Sequence, residues 1–253
     1  MQNEFINEFN NKIVLVTGSS RGIGKKIAEE FLKAGAKVMI NGAKDKEGLV
    51  NTYEEFKNQG YKCEQFLGDI SQREICENLF SYITEKFGYN PDIVINNAGI
   101  AHSTLFTDTN FELWNKIITT NLNSAYNCAH LATPNMISKH EGVIINITSI
   151  WGEAGASCEV AYSTSKSAIN GFTKALAKEL GPSNIRVNAI SCGWVDTSMN
   201  DCYTEEDKEA FIEEIPLCRV GIVDDIANTC LFLASNKASY MTAQIVRVDG
   251  GYL

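Results

Sequence analysis

The 253-residue chain is short of several things. It has three histidines and four prolines, and its eight cysteines (63, 76, 128, 158, 192, 202, 218 and 230) contain no Cys-x-x-Cys pair. Metal centres of the usual ligand spacing are therefore excluded. In a reducing cell the cysteines read as free thiols serving as small apolar side chains. No uninterrupted apolar run approaches the ~20 residues of a membrane helix. The polar, acid-bearing opening Met1–Lys12 lacks the order of a secretory signal, so a cytoplasmic protein with no membrane partner is expected. Positive charge is also scarce. Lysine and arginine number 22 against 31 aspartates and glutamates, a formal charge of −9. That balance argues against a nucleic-acid surface. The remainder is ordinary globular composition, 44% apolar and 21% charged, long enough to bury a core without disulfides or metals.

Short β-branched runs alternate with segments of helical period. Strands are expected at Ile13–Thr17, Val38–Asn41, Cys63–Leu67, Asp92–Asn96, Val143–Ile147, Ile185–Ile190 and Ile245–Val248. Helices are expected at Gly22–Lys33, near Lys46–Asn58 and Arg73–Lys86, around Phe111–His130, and over Ala161–Leu180 before Gly181-Pro182. Several strands are apolar almost throughout, which suits a parallel sheet covered on both faces. The alternation leads to an α/β, doubly wound Rossmann fold, a seven-stranded parallel sheet with helices on both faces. No linker or repeat interrupts it, so residues 1–253 read as a single domain. The stretch Gly193–Pro216 fits no strand and is expected to form a flexible substrate lid, with a short helix after Thr204.

In such sheets ligands bind beyond the carboxyl ends of the strands, and every motif falls there. Strand one runs into Thr17-Gly18-Ser19-Ser20-Arg21-Gly22-Ile23-Gly24 and then a helix. Glycine allows a tight turn and close approach to a pyrophosphate, and the helix N-terminus offers free N–H groups. NAD-selective sites place a carboxylate at the end of strand two. Here that end reads Ile40-Asn41-Gly42-Ala43-Lys44, without an acid. A 2′-phosphate would meet no repulsion, and Arg21 and Lys44 could supply charge. NADP is expected over NAD.

Tyr162 and Lys166 stand at i, i+4 on a predicted helix and so share a face. An ammonium nearby should lower the phenol's pKa toward neutrality, fitting it for acid–base work. Tyr53/Lys57 and Tyr82/Lys86 have the same spacing, but on faces expected to point outward. Only Tyr162/Lys166 lies near a polar group at a strand end, Ser149, which could polarise a carbonyl or merely cap a turn. Asn96-Asn97-Ala98-Gly99 follows strand four and Asn121 falls within the long helix. A buried asparagine in either place needs partners.

Taken in order, Thr-Gly-x3-Gly-Ile-Gly, Asn-Asn-Ala-Gly, a helical Asn, a post-strand Ser and Tyr-x3-Lys resemble the short-chain dehydrogenase/reductase family. The resemblance is to its 3-oxoacyl-[acyl-carrier-protein] reductase branch and runs from Lys12 to Tyr252. It implies Tyr162 as acid/base, Lys166 as the group that lowers its pKa and binds the nicotinamide ribose, and Ser149 as the carbonyl's orienter. Asn121 would hold a water of a proton relay. Gly18, Ser20, Arg21, Gly22, Ile23 and Gly24 would hold the phosphates, with Asn41 and Lys44 at the end of strand two. Asp69 and Ile70 would lie at the adenine, Asn97, Ala98 and Gly99 beside the cofactor, and Gly193, Val195 and Thr197 at the carboxamide end. A homotetramer is implied, joined through the two long helices and the C-terminal region.

Two features depart from that branch. Cys192-Gly193 stands where the family has Pro-Gly, and the arginines expected near an acidic carrier protein are missing around Leu131–Met136. The segment from Ser149 to Tyr162 is similar to elongation factor P 5-aminopentanone reductases. Glu153 and Glu159 there could favour an amine-bearing ketone over a fatty acyl chain, or be ordinary surface acids. The expected activity is NADPH-dependent reduction of a small-molecule or carrier-bound ketone to a secondary alcohol. An alcohol or steroid dehydrogenase working oxidatively is the second enzymatic reading. A non-catalytic nucleotide-binding regulator is disfavoured by the complete Asn121, Ser149, Tyr162, Lys166 set.

Overall fold

A computed structural model describes residues 7–201 and 203–253; the first six residues and Cys202 lie outside the described residues. In chain order the elements are β1 (Ile13–Val16), α1 (Gly22–Lys33), β2 (Lys37–Gly42), α2 (Lys46–Asn58), β3 (Cys63–Leu67), α3 (Arg73–Phe87) and β4 (Ile93–Asn96). Then come α4 (Phe111–Ile118), α5 (Ser124–Lys139), β5 (Gly142–Ser149), α6 (Trp151–Ala154), α7 (Val160–Leu180) and β6 (Ile185–Cys192). The chain closes with α8 (Glu205–Glu213), α9 (Val223–Ala234) and β7 (Ile245–Val248).

The strands form one parallel sheet of seven in the order β3-β2-β1-β4-β5-β6-β7. Successive side chains of a strand point to opposite faces, so β1 feeds two cores. Val14 and Val16 pack with Ile27 and Phe31 of α1 and Leu231 of α9. Ile13 and Leu15 pack with Leu79 of α3, Ala129 of α5 and Ala177 of α7. Each fully buried aliphatic side chain of this kind contributes about 1.5–3 kcal/mol. Chain order reverses between β1 and β4, which opens the crevice expected of a doubly wound sheet. Among the described residues no helix is long and apolar enough to cross a membrane. Cys63, Cys76, Cys128, Cys192 and Cys230 are buried free thiols, whereas Cys158 is half-buried and Cys218 exposed.

The structure corrects three local expectations. The helix expected around Phe111–His130 is not continuous: α4 passes through a π-helical turn at Thr119–Asn123 into α5, which runs on to Lys139. Pro134 sits inside α5 without ending it. Thr133 just before it donates to the Ala129 carbonyl at 2.7 Å, and the helix stops only where His140 turns left-handed at φ 50°. Asp92 is not a strand residue; its carboxylate accepts from the Ile13 N–H and from Lys139. Finally, α9 had no counterpart in the sequence reading, though it places Ile226, Cys230 and Leu231 in the core. The helix expected after Thr204 is α8, capped by a reciprocal Thr204–Asp207 pair.

Candidate active site

The chain leaves β1 through a glycine turn held from the β4 side. Thr17 Oγ1 accepts the backbone N–H groups of Asn97 (3.0 Å) and Ala98 (2.9 Å), and Asn97 Nδ2 donates to the carbonyls of Thr17 and Gly18, both at 2.9 Å. Gly18 has φ +61°, and a Cβ on Gly24 would lie 2.4 Å from the Gly18 carbonyl oxygen. Glycine is thus required by the turn and by the close approach of α1 to it. Gly22 opens toward Thr197, whose methyl carbon is 3.6 Å from where a Cβ would stand. The bare backbone at the start of α1, beside Thr197, Asn97 and Gly99, fits a dinucleotide's diphosphate.

Other candidates are already engaged. The buried Asn41 amide donates to the carbonyls of Phe66 and Gly68, both at 3.1 Å, tying β2 to the end of β3. Asp69 Oδ1 turns back to accept from the Ser71 hydroxyl at 2.7 Å. Ile70 is buried, and its carbonyl accepts from Asn127 at 3.0 Å. Ser20 anchors α2 by accepting from Thr52 at 2.9 Å. Val195 bridges to Gly221, and Gly193 packs on Asp249, whose Cα would meet a Cβ there at 2.8 Å. Arg21 pairs at 3.1 Å with Asp45. An acid thus lies just beyond Lys44, outside the strand end that lacks one.

Tyr162, Lys166, Ser149 and Asn121 converge. α7 carries the first two, with Lys166 Nζ 5.6 Å from the Tyr162 ring centroid. The buried ammonium donates to the Ile147 carbonyl at 2.9 Å. Gly152 of α6 lets α7 pack closely, since a Cβ there would be 2.8 Å from the Lys166 backbone. Ser149, at the end of β5, accepts the Trp151 N–H at 3.2 Å and also bonds the Tyr162 hydroxyl. It thereby combines the capping and the polarising geometry. Asn121 sits in the π-helical turn, a feature common at functional sites. Its Oδ1 accepts from the Ile100 N–H at 2.8 Å, and its Nδ2 donates at 2.9 Å to the Ile100 carbonyl and to Ser165. Gly99 lies against both Asn121 and Lys166 Nζ.

The electrostatics correct the sequence expectation for the phenol. Burial pushes Tyr162 well above its ordinary pKa, the Cys192 thiol adds to that, and the Ser149 hydrogen bond opposes it. Burial likewise holds the Lys166 ammonium down, to about 8, against a smaller opposing influence of Cys192. Desolvation disfavours both charged forms, and it outweighs the attraction between them while the ammonium is spent on Ile147. Cys192 is raised to about 12 by the same burial, which favours the thiol over the thiolate beside the site.

These groups line a cleft of about 570 Å³ whose outer wall is aromatic: Trp151, Trp194, Tyr203, Phe211 and Tyr252. The two acids expected at its entrance part company. Glu153 pairs with Arg247 at 3.1 Å. Glu159 is 7% exposed and faces the cleft. Sequence reasoning had not separated them, because only the packing of α7 buries Glu159. It also missed Thr17 as the tie between turn and sheet; a hydroxyl immediately before the glycines was the available signal.

A seven-stranded sheet with this turn, and with Tyr, Lys, Ser and Asn gathered at its carboxyl edge, defines a nicotinamide-dependent oxidoreductase of CH–OH and C=O groups. The chain belongs to the short-chain dehydrogenase/reductase family, and the family model described as enoyl-(acyl carrier protein) reductase matches residues 18–253. It is 39% identical over 241 residues to the 3-oxoacyl-[acyl-carrier-protein] reductase FabG of Chlamydia muridarum, covering 95% of this chain and 97% of that one. It is 37% identical over 240 residues to the Staphylococcus aureus enzyme of the same name, with 95% and 97% covered. Among solved structures, one from Agrobacterium tumefaciens, provisionally assigned as a gluconate dehydrogenase, matches with a TM-score of 0.92 at 32% identity, covering 98% of each chain.

Proposed function

We propose that the protein uses NADPH to reduce a 3-oxoacyl-type ketone to a secondary alcohol. The observation that carries this reading is the convergence of Ser149, Tyr162 and Lys166 on one cleft beside the glycine turn. Gly18, Arg21, Gly22, Ile23, Gly24 and Thr197 would hold the cofactor, which would supply the hydride when bound. Ser149 orients the carbonyl, and Tyr162 donates the proton that the new alkoxide needs. A phenol kept neutral by burial is in the correct state for a general acid. Lys166 replenishes that proton, and Asn121 positions Lys166's end of the site by fixing the Ile100 backbone. Arg21 and Lys44, with no carboxylate at the end of β2, favour the 2′-phosphate.

Steady NADPH oxidation by an acetoacetyl thioester, lost in Tyr162→Phe, is the expected result; turnover unchanged in that variant would overturn the reading. Fluorescence titration should give NADPH an affinity at least about tenfold above NADH, from one to two charge-assisted contacts. Equal affinities would remove the cofactor preference. A homotetramer accords with the exposed Phe111, Tyr126 and Tyr240 on α4, α5 and the C-terminal region, and light scattering showing a monomer would exclude it.

A further inference from the structure

The aromatic wall of the cleft is drawn from separate stretches of chain. Trp151 opens α6, Phe211 lies on α8, and Tyr252 follows β7. Their rings touch in turn. Tyr252 stacks on Phe211 with centroids 4.5 Å apart, and Trp151 meets Tyr252 edge-on at 5.8 Å. Phe211 stands 5.0 Å from Trp194, which is itself 5.0 Å from Tyr203. Such spacings are those of aromatic rings in direct contact. An unbroken apolar barrier therefore runs from beside Ser149 to the 193–216 segment.

Tyr252 is held in that wall by more than its ring. Gly250 and Gly251, at φ +70° and +91°, turn the chain back after β7 through a region that side chains resist. A Cβ on Gly250 would lie 2.6 Å from Ile215, and one on Gly251 3.1 Å from Pro216, so the turn is pressed against the residues that follow α8. The Gly250 carbonyl accepts from the Leu217 N–H at 3.2 Å. Asp249 accepts the N–H groups of Gly251 and Leu253 at 3.0 and 3.1 Å. Arg247, paired with Glu153 of α6, donates to the Leu253 carbonyl at 3.1 Å. The Tyr252 hydroxyl bonds the Glu214 carboxylate. None of these groups belongs to the catalytic set, yet together they fix one ring at the edge of the cleft.

The cleft has two occupants to serve. Ile23, Asn97, Gly99 and Thr197 of its lining belong to the cofactor side, and its whole volume is about 570 Å³, in the middle of the range for a single small ligand. What remains beside a nicotinamide suits a short molecule, and a longer chain would have to part Tyr252 from Phe211 or Trp151. We infer that Tyr252 sets the length of the substrate, as a specificity-determining residue that admits a short 3-oxoacyl group and rejects a long one. The inference rests on the ketone-reductase reading above. The discrimination is steric, and it depends on the turn after β7 keeping the ring against α8.

The test compares the acetoacetyl and 3-oxododecanoyl thioesters of N-acetylcysteamine, using NADPH and the wild-type protein. The ratio of kcat/KM, short chain over long, is expected to be at least about ten, the lower bound for a pocket that rejects added methylenes. In Tyr252→Ala, checked for fold by NADPH binding, that ratio should fall at least about fivefold through the KM of the long chain. Tyr252→Phe keeps the ring and loses only the Glu214 bond, so its ratio should stay near the wild-type value. Phe211→Leu, which removes the stacking partner, should shift the ratio as Tyr252→Ala does and serves where that variant does not fold. A wild type that takes the long chain as well as the short would overturn the inference whatever the variants do. An unchanged ratio in folded Tyr252→Ala, or in Phe211→Leu standing in for it, would overturn the role of the ring. A ratio as low in Tyr252→Phe as in Tyr252→Ala would overturn the steric account. Failure of the underlying reading looks different: no NADPH oxidation with either thioester.

Discussion

Three helices of this protein carry a Tyr–Lys pair at the same four-residue step, and two of them show how far the consequences can differ. On α3, Lys86 Nζ lies 5.0 Å from the Tyr82 ring centroid; on α7, Lys166 Nζ lies 5.6 Å from that of Tyr162. Lys86 is exposed and pairs with Glu85, which raises its pKa. Lys166 is sealed among β5, α6 and the Asn97–Gly99 loop, and burial drops it to about 8. The spacing brings phenol and ammonium together in both places. What separates an ordinary surface pair from a candidate proton relay is the loss of water and the presence of a strand end.

Breaking the phenol should separate the helices most. Tyr162→Phe is expected to lower kcat by roughly a thousandfold, in the middle of the 10²–10⁴ range for a general acid. Tyr82→Phe should leave kcat within about twofold, since it removes no such group. NADPH consumption measures both, and comparable losses would abolish the distinction.

Backbone substitutions come next. Gly24→Ala drives a methyl into the Gly18 carbonyl and the Asn97 amide, at 2.4 and 2.5 Å. It should cost about 1–3 kcal/mol, as overpacking does, and weaken NADPH binding. Gly171→Ala on α7 meets nothing within 4 Å, and should raise stability by about 0.5–1 kcal/mol through helix propensity. Calorimetry on both variants checks the signs.

The lysines differ in pH response. Lys166 keeps its proton in the folded protein only up to about pH 8, whereas the unfolded chain keeps it to about 10.4. The unfolded state therefore binds the extra proton between those values, and stability from this group rises with pH across that window. Below about 8 the cost of burying the ammonium is fully present. Lys166→Met should flatten this segment of the stability–pH curve and remove any fall in NADPH affinity above about pH 8. Lys86→Met should leave the segment unchanged, and a curve altered by both lysines equally would show that burial is not the cause. The smallest effect is expected from the exposed ion pair itself: Lys86→Ala should leave Tm almost unchanged, since water screens a surface pair.

Much of the architecture was legible because its signals are local. Seven apolar strands, the glycine turn and the Thr204 cap each follow from residues adjacent in the chain. The π-helical turn at Asn121 and the continuation of α5 through Pro134 were not legible. Both depend on how a helix is held from outside, by Ile100, Ser165 and the sheet. The same holds for the two acids of the 149–162 segment. They read alike in sequence, yet Arg247, 94 residues away from Glu153, neutralises one, while the packing of α7 and Tyr203 buries the other.

The order of residues alone determined the kind of sheet, the place of the glycine turn and the pairing of Tyr162 with Lys166, because periodicity and helical spacing act over a few residues. Only the folded chain decided the protonation of that pair, the engagement of Asn41 and Arg21, and the burial of the Glu159 carboxylate. Charge in a protein is governed by the water it loses and the partners it finds, and both are supplied by segments far apart in sequence.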